Sequence, residues 1–83
     1  MNVAKPALRH GIDPGDAILA SKRFIVSYRV GRDPLAELRL GFDSKVRLLE
    51  TVVIANAEGT EIVIHAMRAR AALLDLLPGG DTL

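Results

Sequence analysis

The sequence predicts an α+β fold: a small antiparallel β-sheet of about four strands, with two N-terminal helices and one C-terminal helix packed on it. Three observations favour this fold. Residues 9–17 combine a helix stop with a helix start, residues 23–66 hold β-favouring runs separated by turn residues, and residues 68–77 carry apolar side chains at helical spacing. Because no repeat divides the 83 residues, we expect one domain over 1–83, with 79–83 as a mobile tail.

The N-terminal part predicts two short helices that meet at a corner. Gly11 suits the left-handed conformation that closes a helix over residues 3–10. Asp13 is a favourable N-cap and Pro14 suits the first helical position, so the second helix is expected over residues 14–21. Neither helix is long enough to be stable alone in water, so both must pack on the sheet.

The central part predicts strands joined by short turns in an antiparallel meander. The predicted strands cover residues 23–30, 35–42, 46–55 and 61–66. In the second strand, Leu38, Leu40 and Phe42 alternate with polar or small residues, which indicates one buried and one polar face. The third strand is apolar on both faces and is therefore expected at the centre of the sheet.

The last predicted element is a helix over residues 68–77, ended by the proline and glycines that follow it. Leu74 and Leu77 widen its apolar stripe beyond what a surface helix needs. Packing on the sheet explains this width. The alternative is that Leu74 and Leu77 contact a partner or a second subunit.

Composition excludes several classes of function. The chain has no cysteine, so a disulfide framework and a thiolate site are both excluded. Its two histidines and scattered acids do not predict a metal site, and no phosphate-binding loop predicts a nucleotide cofactor. The sequence has no apolar run long enough to span a membrane, which favours the cytoplasm. A formal charge of +1 gives no strong overall attraction to nucleic acid.

Three stretches together resemble the BrnT toxin family of bacterial toxin–antitoxin operons, within the RelE-like group of small ribonuclease folds. The first is Arg-His-Gly-Ile-Asp at residues 9–13. The second runs from Leu-Arg-Leu-Gly-Phe-Asp at 38–43 to Arg-Leu-Leu-Glu at 47–50. The third is Ile-Val-Ile-His-Ala at 62–66, which leads into a final helix containing Arg68 and Arg70.

The resemblance implies a RelE/BrnT-like fold and a toxin that cleaves RNA without a metal ion or another cofactor. It also implies a cognate antitoxin as the protein partner, with operator DNA contacted only through that antitoxin. A homodimer or a heterotetramer is compatible with such a pair, and no membrane contact is expected.

RNA cleavage of this kind needs a base for the 2′-hydroxyl proton, cations for the phosphate and an acid for the leaving oxygen. The candidate catalytic residues are His65, Arg39, Arg47 and Glu50. The candidate RNA-binding residues are Arg68, Arg70 and His10.

Each candidate also has a structural interpretation. His10 can hydrogen-bond the last carbonyl groups of a helix, and His65 can be a hydrogen-bonded residue at a strand end. By strict alternation His65 shares a face with Glu61 and Val63. Glu50 lies in an apolar strand, where a buried carboxylate needs a partner, and an arginine is the simplest one.

The arginines of the neighbouring strands have two interpretations. Arg39 and Arg47 can be solvated residues on the polar side of the sheet. Alternatively, two cations on adjacent antiparallel strands converge on one phosphate.

A catalytically silent interaction module is the main alternative function. The nearly neutral charge favours it, and so does Met67, which stands where the BrnT family commonly has an arginine. A DNA-binding protein is a weaker alternative, because the helix over residues 14–21 lacks the side chains that read bases.

Overall fold

The computed structural model describes residues 1–78, and the mobile tail predicted over 79–83 lies outside them. The elements in chain order are β1 (Asn2–Val3), a first 3-10 helix (Lys5–Leu8), α1 (Pro14–Lys22), β2 (Phe24–Arg32), β3 (Leu35–Phe42), β4 (Leu48–Ala55), β5 (Glu61–Arg68) and a second 3-10 helix (Ala71–Leu76). The five strands form one sheet in the order β1-β5-β4-β3-β2. No helix among these elements is long and apolar enough to cross a membrane.

The prediction of a four-stranded antiparallel RelE/BrnT-like sheet with three helices is wrong. The protein is a small α+β domain whose five-stranded sheet is mixed, because β1 pairs with β5 in parallel. β1 is only two residues long, so it has no periodic pattern to detect. Its register places Asn2 beside Ile62 and Val3 beside Val63.

The first predicted helix, over residues 3–10, is also wrong. The backbone N–H of Ala4 donates to the carbonyl of Val63 at 2.8 Å, so the start of this segment extends along β5. The remaining residues form only the 3-10 helix. Gly11 follows at φ 78°, the left-handed conformation expected of it, and turns the chain toward α1.

The only α-helix among residues 1–78 is α1, and it begins where the sequence predicts. Asp13 accepts a hydrogen bond from the backbone N–H of Gly15 at 2.9 Å, and Pro14 stands at the first position. The helix lies very close to β3 at Gly41. A Cβ atom at this position would overlap the carbonyl oxygen of Ala20, so only glycine permits the approach. Small residues therefore dominate this contact. The core contains Ala7, Ile12, Ala17, Ala20, Leu49, Val53, Val63 and Ala66.

The predicted C-terminal helix over residues 68–77 is wrong as well. β5 continues to Arg68, and the backbone N–H of Ala69 still donates to the carbonyl of Leu48 at 2.9 Å. Arg70 is extended at ψ 150°, and only the residues after it form a 3-10 helix. Pairing with β4 therefore replaces the first turn of the predicted helix.

The sheet has two different faces. The helix face, which carries Gly41 and Leu49, packs against α1. The distal face is the opposite one and carries Leu40 and Glu50, which pair with each other. Tyr28 belongs to the distal face, and its hydroxyl donates to the carbonyl of Leu76 at 2.8 Å. The chain after β5 therefore crosses the distal face, and Leu40 is fully buried there.

Candidate functional site

Glu50 organises a polar cluster on the distal face. Its side chain is only 1% exposed, yet it lies among apolar residues in β4. Oε1 accepts from the backbone N–H and the Nε–H of Arg70 at 3.1 and 2.9 Å, and Oε2 accepts from Arg70 Nη2 at 2.7 Å. The predicted need for an arginine partner is thus met by Arg70, in bidentate geometry.

His65 is the second hydrogen-bond partner of the Glu50 carboxylate. Its Nε2 lies 2.9 Å from Glu50 Oε2, and its side chain is 29% exposed. A carboxylate held by an arginine is ionised and has only acceptor atoms, so His65 Nε2 is the donor. In the neutral ring this bond selects the tautomer with the proton on Nε2, in which Nδ1 is the acceptor.

A β-bulge places His65 on the distal face. Val53 pairs with Val63 and the preceding Val52 pairs with His65, so Ile64 is an extra residue in β5. Strict alternation would have kept His65 on the side of Val63, which belongs to the core under α1. The predicted face of His65 is therefore wrong, and the bulge is the reason.

His10 reaches the same cluster from the turn after the first 3-10 helix. Its ring lies edge-on to the ring of His65, with centroids 5.7 Å apart and an interplanar angle of 77°. The chain contains two histidines, and both are here. His10 is exposed, so the cluster opens to solvent on this side.

Opposing effects set the charge state of the cluster. Burial raises the pKa of Glu50, but hydrogen bonds from Arg70 and His65 outweigh this effect and hold the pKa below its usual range. The hydrogen bond to Glu50 raises the pKa of Arg70 in turn. Glu50 is therefore a fixed negative charge that orients its neighbours and is not itself a proton acceptor.

Arg39 belongs to a different, structural network on the helix face. Its side chain is 9% exposed and donates to Glu37 Oε1 at 3.0 Å, to Glu61 Oε2 at 2.7 Å and to the carbonyl of Ser21 at 3.1 Å. A hydrogen bond from Ser27 contributes most to lowering the pKa of Glu37. Arg39 thus joins the end of α1 to three strands, and it is neither solvated nor near Glu50.

Arg47 likewise stabilises local structure. Its Nε and Nη2 each lie 2.7 Å from Asp43 Oδ2, and Nη2 lies 3.7 Å from Asp16 Oδ2. Asp43 also accepts from the backbone N–H groups of Lys45 and Arg47. These bonds close the β3–β4 turn, in which Val46 has a φ of 59°. The predicted convergence of Arg39 and Arg47 on one phosphate is wrong, because acids engage each of them separately.

The other predicted residues lie around the cluster without joining it. Arg68 is exposed and pairs with Leu49, which places it on the helix-face side of β5, opposite Glu50. Leu74 is exposed, whereas Leu77 is half-buried near the contact with Tyr28.

Two further features of residues 1–78 bear on ligand binding. These residues contain no group of three or more histidine, aspartate or glutamate side chains placed to hold a metal ion. A shallow cavity of about 290 Å³ lies at the other end of the sheet, away from the histidines, and contains none of the predicted site residues. Its lining residues are Arg32, Asp33, Pro34, Leu35, Ala55, Asn56 and Ala57.

Comparison with protein-family models, with curated proteins and with solved structures finds no match to this chain. The functional interpretation therefore depends on the cluster of Glu50, His65, Arg70 and His10. Sequence reasoning selected all of these residues for their chemistry. What it missed is the bulge residue Ile64, for which a lone isoleucine in an apolar strand gives no signal.

We expect Arg39→Ala to lower the free energy of unfolding by about 2–4 kcal/mol, because it leaves Glu37 and Glu61 without their shared cation. Urea denaturation measures this change. The matched control is Arg9→Ala, an exposed arginine outside the sheet, with an expected change below about 0.5 kcal/mol. Wild-type stability in Arg39→Ala would contradict the structural role.

Acid should weaken the fold through Glu50. Because its pKa is lowered in the folded state, the unfolded chain takes up this proton at a higher pH than the folded chain does. The stabilisation is complete above the unfolded carboxyl value of about 4.3 and declines as the pH falls through the folded value. The stability difference between wild type and Glu50→Gln should therefore shrink as the pH falls below about 4.

Urea denaturation across this pH range tests the linkage. Glu58→Gln, which changes an exposed carboxyl group in the β4–β5 turn, is the control and should follow the wild-type curve. A constant difference between wild type and Glu50→Gln at every pH would show that the charge of Glu50 does not stabilise the fold.

Proposed function

We propose that this chain is a metal-independent endoribonuclease and the toxin of a bacterial toxin–antitoxin pair, acting in the cytoplasm and neutralised by a cognate antitoxin. One observation carries the proposed activity: a buried carboxylate orients a partly exposed imidazole, while a second imidazole contacts the first. A charged group with a shifted pKa beside a solvent-accessible histidine is typical of catalytic sites. The proposed toxin role comes from the motif resemblance alone.

His65 is the proposed general base. Its Nε2–H donates to Glu50, so Nδ1 carries the free electron pair that can accept a proton from the ribose 2′-hydroxyl. The carboxylate then stabilises the imidazolium that forms. Glu50 is a positioning residue in this scheme, because its oxygens are already engaged by Arg70 and His65.

His10 is the proposed general acid. It is exposed, and its ring is close enough to His65 for both to flank one phosphodiester. In its protonated form it donates a proton to the 5′-oxygen that leaves. Two imidazoles in opposite protonation states thus divide the acid and base work between them.

Arg70 is the proposed phosphate ligand. Its side chain is 62% exposed although Nε and Nη2 bind Glu50, so the guanidinium edge that carries Nη1 can donate to a phosphate oxygen. Arg68, on the other side of β5, is a candidate contact to a neighbouring phosphate of the same RNA. Arg39 and Arg47 have no part in the chemistry.

The proposed step conserves atoms and charge. The 2′-oxygen loses its proton to His65 Nδ1 and forms a bond to phosphorus, while the bond from phosphorus to the 5′-oxygen breaks and that oxygen takes a proton from His10. The products are a 2′,3′-cyclic phosphate and a free 5′-hydroxyl. The step needs a 2′-hydroxyl, so DNA is not a substrate.

A catalytically silent interaction module remains the second candidate. The observation that favours it is the row of exposed apolar side chains on β2, because contiguous apolar surface is typical of protein-binding sites. In that case the cluster around Glu50 would only anchor the C-terminal segment. Cleavage of RNA separates the two candidates.

The purified chain should cleave single-stranded RNA in the presence of EDTA and leave the matching DNA intact. His65→Ala and His10→Ala should each lower the rate by about 10²–10⁴-fold, and Glu50→Gln by about 10–100-fold. Lys45→Gln, at an exposed position in the β3–β4 turn, is the control and should cleave like wild type.

Induction of the chain alone should slow bacterial growth, and His65→Ala should relieve the effect. Relief by Arg39→Ala is expected only with loss of soluble, folded protein. A folded wild-type chain that leaves RNA intact and growth unchanged would contradict the proposed function and favour the interaction module.

A further inference from the structure

β2 is an edge strand with an exposed and largely apolar surface. Only β3 lies beside it in the sheet formed by residues 1–78. Four of its apolar side chains are more than two-fifths exposed: Phe24, Ile25, Tyr28 and Val30. Free backbone N–H and C=O groups beside apolar side chains form a template for another strand.

This edge is also strongly cationic. Residues 22–33 hold four of the chain's 11 lysines and arginines and one of its ten acids, Asp33, so the rest of the chain carries seven cations against nine acids. The four cations are Lys22, Arg23, Arg29 and Arg32, and all are exposed. The total charge is nearly neutral because the positive charge around β2 is balanced by an excess of acids in the rest of the chain.

The pairing pattern limits the length of a docked strand. The register of β2 with β3 is regular over Val26–Arg29 and is interrupted on both sides of that stretch. A strand on the free edge therefore pairs regularly only near the centre of β2 and meets Arg23 at one end and Arg32 at the other.

A second copy of the chain is a poor occupant. If two β2 strands paired antiparallel about the regular stretch, Val26 would lie opposite Arg29, and the Arg23 end of each strand would approach the Arg32 end of the other. Like charges brought together in this way destabilise a sheet. This repulsion would occur twice in a symmetric pair.

We propose that the free edge of β2 binds an extended segment of a protein partner, with acidic residues at its ends and alternating apolar residues between them. The acids match Arg23 and Arg32, and the apolar residues cover the side chains exposed along β2. This inference does not depend on the proposed ribonuclease activity, because the edge and the cluster around Glu50 use different residues.

A synthetic peptide tests the proposal on the intact chain. The probe has about nine residues, the length of β2, with two acids at each end and alternating valine and threonine between them. We expect binding in a fluorescence titration and slower hydrogen exchange of β2 amides on binding. A peptide of the same sequence with alternate backbone nitrogens methylated should not bind, because it cannot pair along the edge.

Charge reversal supplies the protein-side test. The double variant Arg23→Glu, Arg32→Glu should weaken binding of the probe about tenfold or more, whereas Lys45→Glu should leave it unchanged. Undiminished binding of the methylated peptide or of the double variant would overturn the proposal. It would also be overturned by a β2-dependent dimer in sedimentation, or by RNA that displaces the peptide through the same two arginines.

Discussion

A buried negative charge at Glu50 governs the arrangement of the distal face. A carboxylate in an otherwise apolar strand is tolerated only if charged or polar groups surround it, since the desolvation of an unpaired ion is costly. Arg70 and His65 meet that need together. The position of Arg70 then sets the path of the chain after β5, which continues across the sheet to the hydroxyl of Tyr28.

The need of buried charges for partners also divides the arginines of this protein into two kinds. Arg39 and Arg47 are each held by two acids, with side chains 9% and 27% exposed, so they act as cross-links between α1, the strands and the β3–β4 turn. Arg70 shares one acid with a histidine and stays open to solvent. Accessibility, more than charge, therefore distinguishes the arginine that can meet a ligand from those that stabilise the fold.

Local signals in the sequence were sufficient for the hairpins of β2 to β5, for the start of α1 at Asp13 and for the turn at Gly11, because each depends on neighbouring residues. The elements that depend on distant partners were not predictable in this way. β1 forms because its residues pair with the edge of β5. The predicted C-terminal helix does not begin at residue 68, because Ala69 still hydrogen-bonds Leu48 at the start of β4.

The candidate site shows the same division. Residue chemistry selected the four residues of the cluster around Glu50, but it selected Arg39 and Arg47 on the same grounds. The need of Glu50 for an arginine followed from burial alone. Alternation placed His65 on the wrong face, since one extra residue at Ile64 reverses the side on which all later residues point. Nor does sequence spacing reveal that Glu37 and Glu61 enclose Arg39.

The arrangement of the distal face requires the neutral ring of His65 to carry its proton on Nε2, where it donates to the ionised Glu50 carboxylate. Long-range ¹H–¹⁵N correlation spectra report the tautomer of each histidine directly, and a His10→Gln sample assigns the two rings. We expect a protonated Nε2 and an unprotonated Nδ1 at His65, with this preference lost in Glu50→Gln. A neutral His65 ring with its proton on Nδ1 in the wild-type chain would contradict this arrangement.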